Sequence, residues 1–236
     1  MAPDISIFIS CYNERDSIVP TIQAVTDALA RLSLAWEILV IDDRSSDDSV
    51  AVVEAYLHRH RDLPIRLHRH DVNRGLGSTI FEAARLAGGR YFWCVAGDNP
   101  VPMETCFTLL GRVGKADIII PHVVRYMGRT IFRRVVSRTY GTLVRLASGS
   151  TVRYFNGSSI YPREKFLAAQ SVTRGFAYSA EMILFLIDQG CTYLEVPVLY
   201  TERQSGKTTA FSWRNFRDVA AFFDRLVRRR FAAVRR

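Results

Sequence analysis

Asp98 stands directly after the apolar run Tyr91-Phe92-Trp93-Cys94-Val95-Ala96-Gly97, and Asn99 and Pro100 follow it. A run this rich in aromatic and β-branched residues reads as a buried strand, which puts the carboxylate at the carboxyl end, where open α/β sheets bind ligands. A carboxylate there is a hard oxygen ligand. Beside a diphosphate it can share magnesium or manganese with the phosphate oxygens, and such a cation neutralises a departing nucleoside diphosphate. Asn99 is a supplementary oxygen donor. The alternative is an ordinary strand-to-turn aspartate, so the surrounding sequence has to decide.

Two upstream runs deliver polar clusters in the same way. Glu37-Ile38-Leu39-Val40-Ile41 ends in Asp42-Asp43 and then Arg44-Ser45-Ser46-Asp47-Asp48-Ser49, a turn followed by a helix cap. Ile5-Ser6-Ile7-Phe8-Ile9-Ser10 ends in Cys11-Tyr12-Asn13-Glu14-Arg15. Three strands thus bring polar residues to one rim. With Tyr-Asn-Glu, then the paired aspartates and Ser, then an Asp after the fourth strand, the chain resembles inverting glycosyltransferases of family 2, which have the GT-A fold. The resemblance is closest to the dolichol- and polyprenol-phosphate sugar synthases and runs from about Ile5 to about Phe216.

The resemblance implies a nucleoside-diphosphate sugar donor, GDP- or UDP-linked, and a polyprenyl-phosphate acceptor. Asp43, at the second Asp of the family pattern, then accepts the ring N–H of uracil or guanine, with Asp42 beside it. Adenine and cytosine lack that donor. Tyr12 lies against the base, and Glu14 completes its motif. Arg74, ahead of Gly75-Leu76-Gly77, binds the donor phosphate or sugar, the glycines allowing close backbone approach. The metal motif departs from the pattern: Asp-x-Asp becomes Ala96-Gly97-Asp98, and Pro100 replaces a polar residue. One carboxylate with a diphosphate still suffices for magnesium. Weaker metal binding is expected, and metal-independent transfer or a non-catalytic nucleotide-sugar-binding relic stay open.

Arg125, Arg129, Arg133, Arg134, Ser137, Arg138 and Arg145 interleave with Ile131, Val135, Val136, Tyr140, Leu143 and Val144, which predicts an amphipathic helix or helix pair. By resemblance, Arg133 and Ser137, one turn apart, hold the acceptor phosphate, and Arg125 is another phosphate ligand. A phosphomonoester is already anionic near neutral pH and needs no general base. Glu181 lies close to where relatives acting on a hydroxyl carry their base; a helix-start carboxylate with local partners is the structural alternative. Glu195-Val196-Pro197 and the following Arg203 to Lys207 resemble the family's strand and mobile loop, so Arg203 and Lys207 are expected to fold over the donor diphosphate.

The elements that must position these groups follow from periodicity. Ile18, Ile22, Val25, Leu29 and Leu32, then Val50, Val53 and Leu57, recur at helical spacing between the strands, and helices are expected over Thr79 to Leu86, Met103 to Val113 and Ala180 to Ile187. Further strands are expected at Ile65 to His68, Asp117 to Ile120, Gly157 to Tyr161 and Tyr193 to Leu199. This βαβ alternation predicts an α/β, doubly wound, mostly parallel sheet. The expected organisation is a GT-A domain over 1–211 and a basic amphipathic C-terminal helix over 212–236, suited to an anionic membrane surface.

Composition agrees. At 236 residues, 48% hydrophobic, the chain can bury a large core, yet no apolar run reaches the length of a membrane span. The net charge of +9 suits an anionic surface. Nucleic acid is not expected as a partner, since no binding motif with interleaved aromatics is visible. Cys11, Cys94, Cys106 and Cys191 are scattered, which predicts reduced core residues and not a disulfide frame or zinc site. Met1-Ala2-Pro3-Asp4 does not have the form of a signal peptide, so the expected location is cytoplasmic, peripheral on the cytoplasmic face of the membrane.

Overall fold

The computed structural model describes residues 2–98, 101–127, 131–169, 177–201 and 213–234. The chain alternates strand and helix through β1 (Ile5–Cys11), α1 (Ile18–Leu29), β2 (Trp36–Asp42), α2 (Ser49–Arg59), β3 (Ile65–Arg69), α3 (Leu76–Leu86), β4 (Tyr91–Ala96), α4 (Met103–Leu110) and β5 (Ile118–Met127). It continues through α5 (Ile131–Ser148), β6 (Ile160–Pro162), α6 (Arg163–Ala168), α7 (Tyr178–Asp188), β7 (Tyr193–Thr201) and α8 (Trp213–Val234). The strands form one seven-stranded sheet in the order β3-β2-β1-β4-β6-β5-β7. All pairings are parallel except those of β6, which runs antiparallel to β4 and β5.

The near-continuous apolar strands have the physical consequence expected of a sheet covered on both sides. Phe8, Ile41, Phe92 and Ile120 point to one face, where they meet α3, α6 and α7 through Ile80, Phe81, Phe166 and Ile183. Ile7, Ile9, Val40, Trp93 and Val95 point to the other and pack on Ile18, Ile22, Val25, Cys106 and Leu109 of α1 and α4. The buried strands therefore fix their rims rigidly.

Several details differ from the sequence expectation. The segment after β5 is a single helix, α5, one of the two arrangements expected there, whereas α4 stops at Leu110, short of Val113. The short α6 was not anticipated, because six residues are too few to show a helical period. On α8, Phe222 is fully buried and Leu226 nearly so, both within the core on the α3 side, with Phe223 against Tyr140 of α5. A segment of α8 is thus part of the folded core.

Candidate functional site

β2, β1 and β4 are neighbours, and their register aligns Cys11 with Asp42 and Ser10 with Ala96. Tyr12, Asp42, Asp43 and Asp98 consequently emerge along one edge of the sheet, at its carboxyl end. Tyr12 is 51% exposed, an aromatic face open at the rim. The next residue, Asn13, takes a left-handed φ of 56°. Its side-chain oxygen accepts hydrogen bonds from the Ser46 backbone N–H at 2.8 Å and from the Ser46 hydroxyl at 3.2 Å. The Asn13 N–H donates back to Ser45 Oγ at 2.9 Å. Glu14 is tied to the same loop, its N–H donating to Ser49 Oγ at 2.8 Å while its carboxylate accepts from Ser17 Oγ at 2.8 Å. The two loops after β1 and β2 are therefore knitted into one rigid wall.

Asp42 and Asp43 divide the work of that wall. Asp42 is buried and accepts the Ser45 N–H at 3.1 Å, closing the turn after β2. Asp43, also buried, accepts the Arg74 N–H at 2.8 Å and faces His70 Nδ1 at 2.8 Å through Oδ1, and accepts the Gly75 N–H at 2.7 Å through Oδ2. A carboxylate has about four lone-pair positions, so Oδ2 keeps one after these contacts. Asp43 thereby fixes the loop that begins α3. Gly75 takes a φ of 75° at that point, which glycine adopts without strain. The Arg74 guanidinium turns to Glu82 of α3, with Nη1 and Oε2 2.7 Å apart.

Gly97 explains how Asp98 is placed. A Cβ at residue 97 would lie 2.2 Å from the Ser10 carbonyl oxygen and 3.0 Å from Ile18 Cδ1, so the end of β4 packs against β1 more closely than any side chain permits. Thr21 Oγ1 donates to the Gly97 carbonyl at 3.0 Å and anchors the turn from α1. Asp98 follows, partly buried at the rim. As a single hard carboxylate beside an open rim, it fits magnesium or manganese held mostly by phosphate oxygens and water. Asn99, the supplementary ligand, lies outside the described residues.

Of the residues expected to hold an acceptor phosphate, Arg125 sits on β5 opposite Leu199, Arg133 lies in the first turn of α5, and Ser137 one turn later is half-buried, with the Asn156 amide 3.5 Å from its hydroxyl. Arg203 and Lys207 lie outside the described residues. Glu181, in the first turn of α7, is gripped by Arg225 of α8: Nε donates to Oε1 at 2.9 Å and Nη2 to Oε2 at 3.0 Å. The partner of this helix-start carboxylate is thus a residue 44 positions away on α8 and not a local group. Glu195 accepts the Arg153 N–H at 2.7 Å, so the Glu-Val-Pro strand braces the segment after α5.

The cysteines offer no nucleophile. All four are buried free thiols. Burial, aided by the neighbouring charge of Asp42, pushes Cys11 up to about 12, and burial does the same for Cys94 and Cys106. Two groups that the sequence reading did not single out, His70 and Glu82, sit directly behind Asp43. The two-residue spacing of His68, on β3, and His70, just after it, was the signal available for the histidine.

Comparison with known proteins agrees with this geometry. The glycosyl transferase family 2 model matches residues 6–178, which is most of the chain. Over 153 residues the chain is 28% identical to the undecaprenyl-phosphate 4-deoxy-4-formamido-L-arabinose transferase of Salmonella choleraesuis (strain SC-B67), covering 63% of this chain and 45% of that protein. The chain thus spans less than half the length of that relative. Among solved structures, glucosyl-3-phosphoglycerate synthase from Mycobacterium tuberculosis, in complex with Mg2+ and UDP, superposes with a TM-score of 0.69 at 16% identity, covering 95% of this chain and 79% of that one. The mannosyltransferase PcManGT from Pyrobaculum calidifontis, in complex with GDP-Man and Mn2+, gives 0.66 at 17% identity, covering 95% and 65%. S. aureus TarS with UDP-GlcNAc gives 0.64 at 16%, covering 95% and 70%. With its mixed seven-stranded sheet of the GT-A type and a family model matched from Ser6 to Tyr178, the chain belongs to glycosyl transferase family 2.

Proposed function

We propose that the chain transfers a sugar, with inversion, from a nucleoside-diphosphate sugar to a polyprenyl phosphate at an anionic membrane surface. The observation that carries this reading is the alignment of Tyr12, Asp43 and Asp98 at the ends of three adjacent strands. In it, Tyr12 covers the base and Asp43 accepts the ring N–H of uracil or guanine on the remaining lone pair of Oδ2. Asp98 would hold the cation that neutralises the diphosphate. The relative named for undecaprenyl phosphate supports the acceptor class.

α5 supports the same acceptor. Val144 is fully buried on its inner face, whereas Val135, Leu143 and Leu146 are exposed on the opposite face, with exposed Arg134, Arg138 and Arg145 along one side. An exposed apolar stripe bordered by arginines suits the headgroup boundary of an anionic bilayer. No helix of the described residues is long and apolar enough to cross a membrane. In this reading the membrane-facing helix also carries Arg133 and Ser137, which bring the acceptor phosphate to the donor, while Arg125, Arg203 and Lys207 hold the two phosphate groups in line. The acceptor anion attacks the anomeric carbon without losing a proton. Glu181 then has no proton to take, and its pairing with Arg225 is structural.

The basic helix over 212–236 is assigned to the same surface. Its inner side is fastened to the core by Phe222 and Leu226, and exposed Arg217 faces outward for lipid headgroups, while Arg228 pairs with Asp224 one turn earlier. The test is incubation of purified chain with radiolabelled nucleotide sugars and membrane lipid extract. Label is expected in the organic phase with at least one GDP- or UDP-sugar; no organic label across the panel, with the protein folded, would reject the function.

A further inference from the structure

Behind the candidate donor site, His68 and His70 project from the same side of the β3 edge towards Glu82 on α3. His68 Nε2 is 3.5 Å from Glu82 Oε1, His70 Nε2 is 3.3 Å from Glu82 Oε2, and one ligand atom from each residue lies within 4.8 Å of the others. We propose that these three side chains form a binding site for a borderline-soft divalent transition metal of the zinc class, separate from the hard-cation position at Asp98.

Four features favour it. First, two ligands each about 2.1 Å from a tetrahedral ion lie roughly 3.4 Å apart, close to the 3.5 Å between His68 Nε2 and Glu82 Oε1, while His70 Nε2 approaches the same carboxylate from the other side, 3.3 Å from Oε2. Second, the His70 side chain is fully buried, and its Nε2 faces Glu82 without a hydrogen bond, an unmet buried nitrogen aimed into the cluster. Third, His70 Nδ1 lies 2.8 Å from Asp43 Oδ1. With the proton on Nδ1 donated to Asp43, the Nε2 lone pair is left for a metal, the carboxylate–histidine–metal relay that orients imidazole ligands in zinc sites. Fourth, His68 is 48% exposed in its side chain, which gives an ion and its fourth ligand, water, a path from solvent.

The donor set also selects the ion. Two imidazoles and one carboxylate suit zinc, cobalt or nickel, whereas magnesium prefers oxygen ligands and retained water. Arg74 Nη1 holds Glu82 Oε2 at 2.7 Å, so the oxygen turned to His68, Oε1, is the one open to the ion. Asp98 follows β4, which is three strands along the sheet from β3, so the two metal positions can be tested apart.

The experiment uses the full, untagged chain after dialysis against a chelator, titrated with Co2+ while visible d–d absorption is recorded, then with Zn2+ in competition. One Co2+ per chain with the intense band of a four-coordinate ion is expected, displaced by Zn2+ and unaffected by excess Mg2+. His68→Ala and Glu82→Gln should each abolish the band or weaken Zn2+ binding at least tenfold, and Asp43→Asn should weaken it about 10–100-fold as loss of an outer partner. Asp98→Asn and His58→Ala should leave the band intact. Absence of the band in the wild type, or an unchanged band in His68→Ala with circular dichroism showing a native fold, overturns the proposal.

Discussion

Arg225 and Glu181 meet through two parallel hydrogen bonds, 2.9 and 3.0 Å long, that join α8 to the first turn of α7. Paired geometry of this kind is the strong form of a charge-assisted contact. Glu181 thus helps to hold the C-terminal helix, and Tyr140, raised above its ordinary range by burial and then by Glu181, lies beside it.

Glu181→Gln should therefore keep most transfer activity while loosening α8. With the pair partly exposed, a stability loss of about 1 kcal/mol is expected, or a fall of roughly 2–4 °C in Tm for a chain this size. Initial rates and thermal unfolding measured on one preparation decide. A rate loss of about two to four orders of magnitude at unchanged Tm would make Glu181 a general base instead.

Asp43→Ala should affect fold and donor together. It strips acceptors from the Arg74 and Gly75 N–H groups and a partner from His70, and each buried donor left unmet costs about 1–3 kcal/mol. Below its unfolding transition, the variant should bind UDP or GDP more weakly by about 1.5–3 kcal/mol, the range for a hydrogen bond to a charged group. Calorimetry showing a destabilised protein with wild-type nucleotide affinity would leave Asp43 a purely structural role.

The metal position can be pushed in both directions. Asp98→Asn should remove the gain in nucleotide affinity produced by magnesium or manganese, and Ala96→Asp, which restores the missing carboxylate of the family pattern, should increase that gain. Titrations of nucleotide with and without the ion, on the wild type and both variants, test this; an ion-dependent gain that is the same in all three proteins would place the cation elsewhere.

Acid should destabilise the chain in a defined window. For Glu37, burial raises the pKa, but hydrogen bonds from Ser6 and Gly88 and the Arg66 cation outweigh it, and the carboxyl ends below its usual range. Asp47 is likewise lowered by Ser49, against its burial, and Asp117 chiefly by the Thr192 N–H. Groups lowered in the fold add stability that is complete above their unfolded values and disappears as pH falls through the folded ones. Urea midpoints should therefore hold down to about pH 4–5 and drop below it. Glu37→Gln should make that drop shallower, and an identical pH profile for the variant would contradict the assignment.

Much of this architecture was legible in advance because buried parallel strands write themselves as apolar runs, and the polar residue ending each run marks the rim. Tyr12, Asp43 and Asp98 could be placed that way. Contacts across the fold could not. Nothing local announces that Gly97 abuts the Ser10 carbonyl, that Asp43 caps the loop at Arg74 and Gly75, or that Glu181 faces Arg225 forty-four positions away. Arg44 is a further case, since its left-handed φ of 69° is one that arginine rarely adopts. On α8, Phe222 and Phe223 adjoin, and only packing against Tyr140 and the core decides that Phe222 is fully covered and Phe223 partly.

The measurement closest to the central claim supplies the active labelled nucleotide sugar with two acceptors in anionic vesicles: a polyprenyl phosphate and the matching free polyprenol. Transfer is expected only to the phosphate, with a sugar phosphodiester as product, little loss in Glu181→Gln, and strong loss in Arg133→Ala and Ser137→Ala at unchanged nucleotide binding. Glycosylation of the free polyprenol at a comparable rate, abolished by Glu181→Gln, would contradict the account.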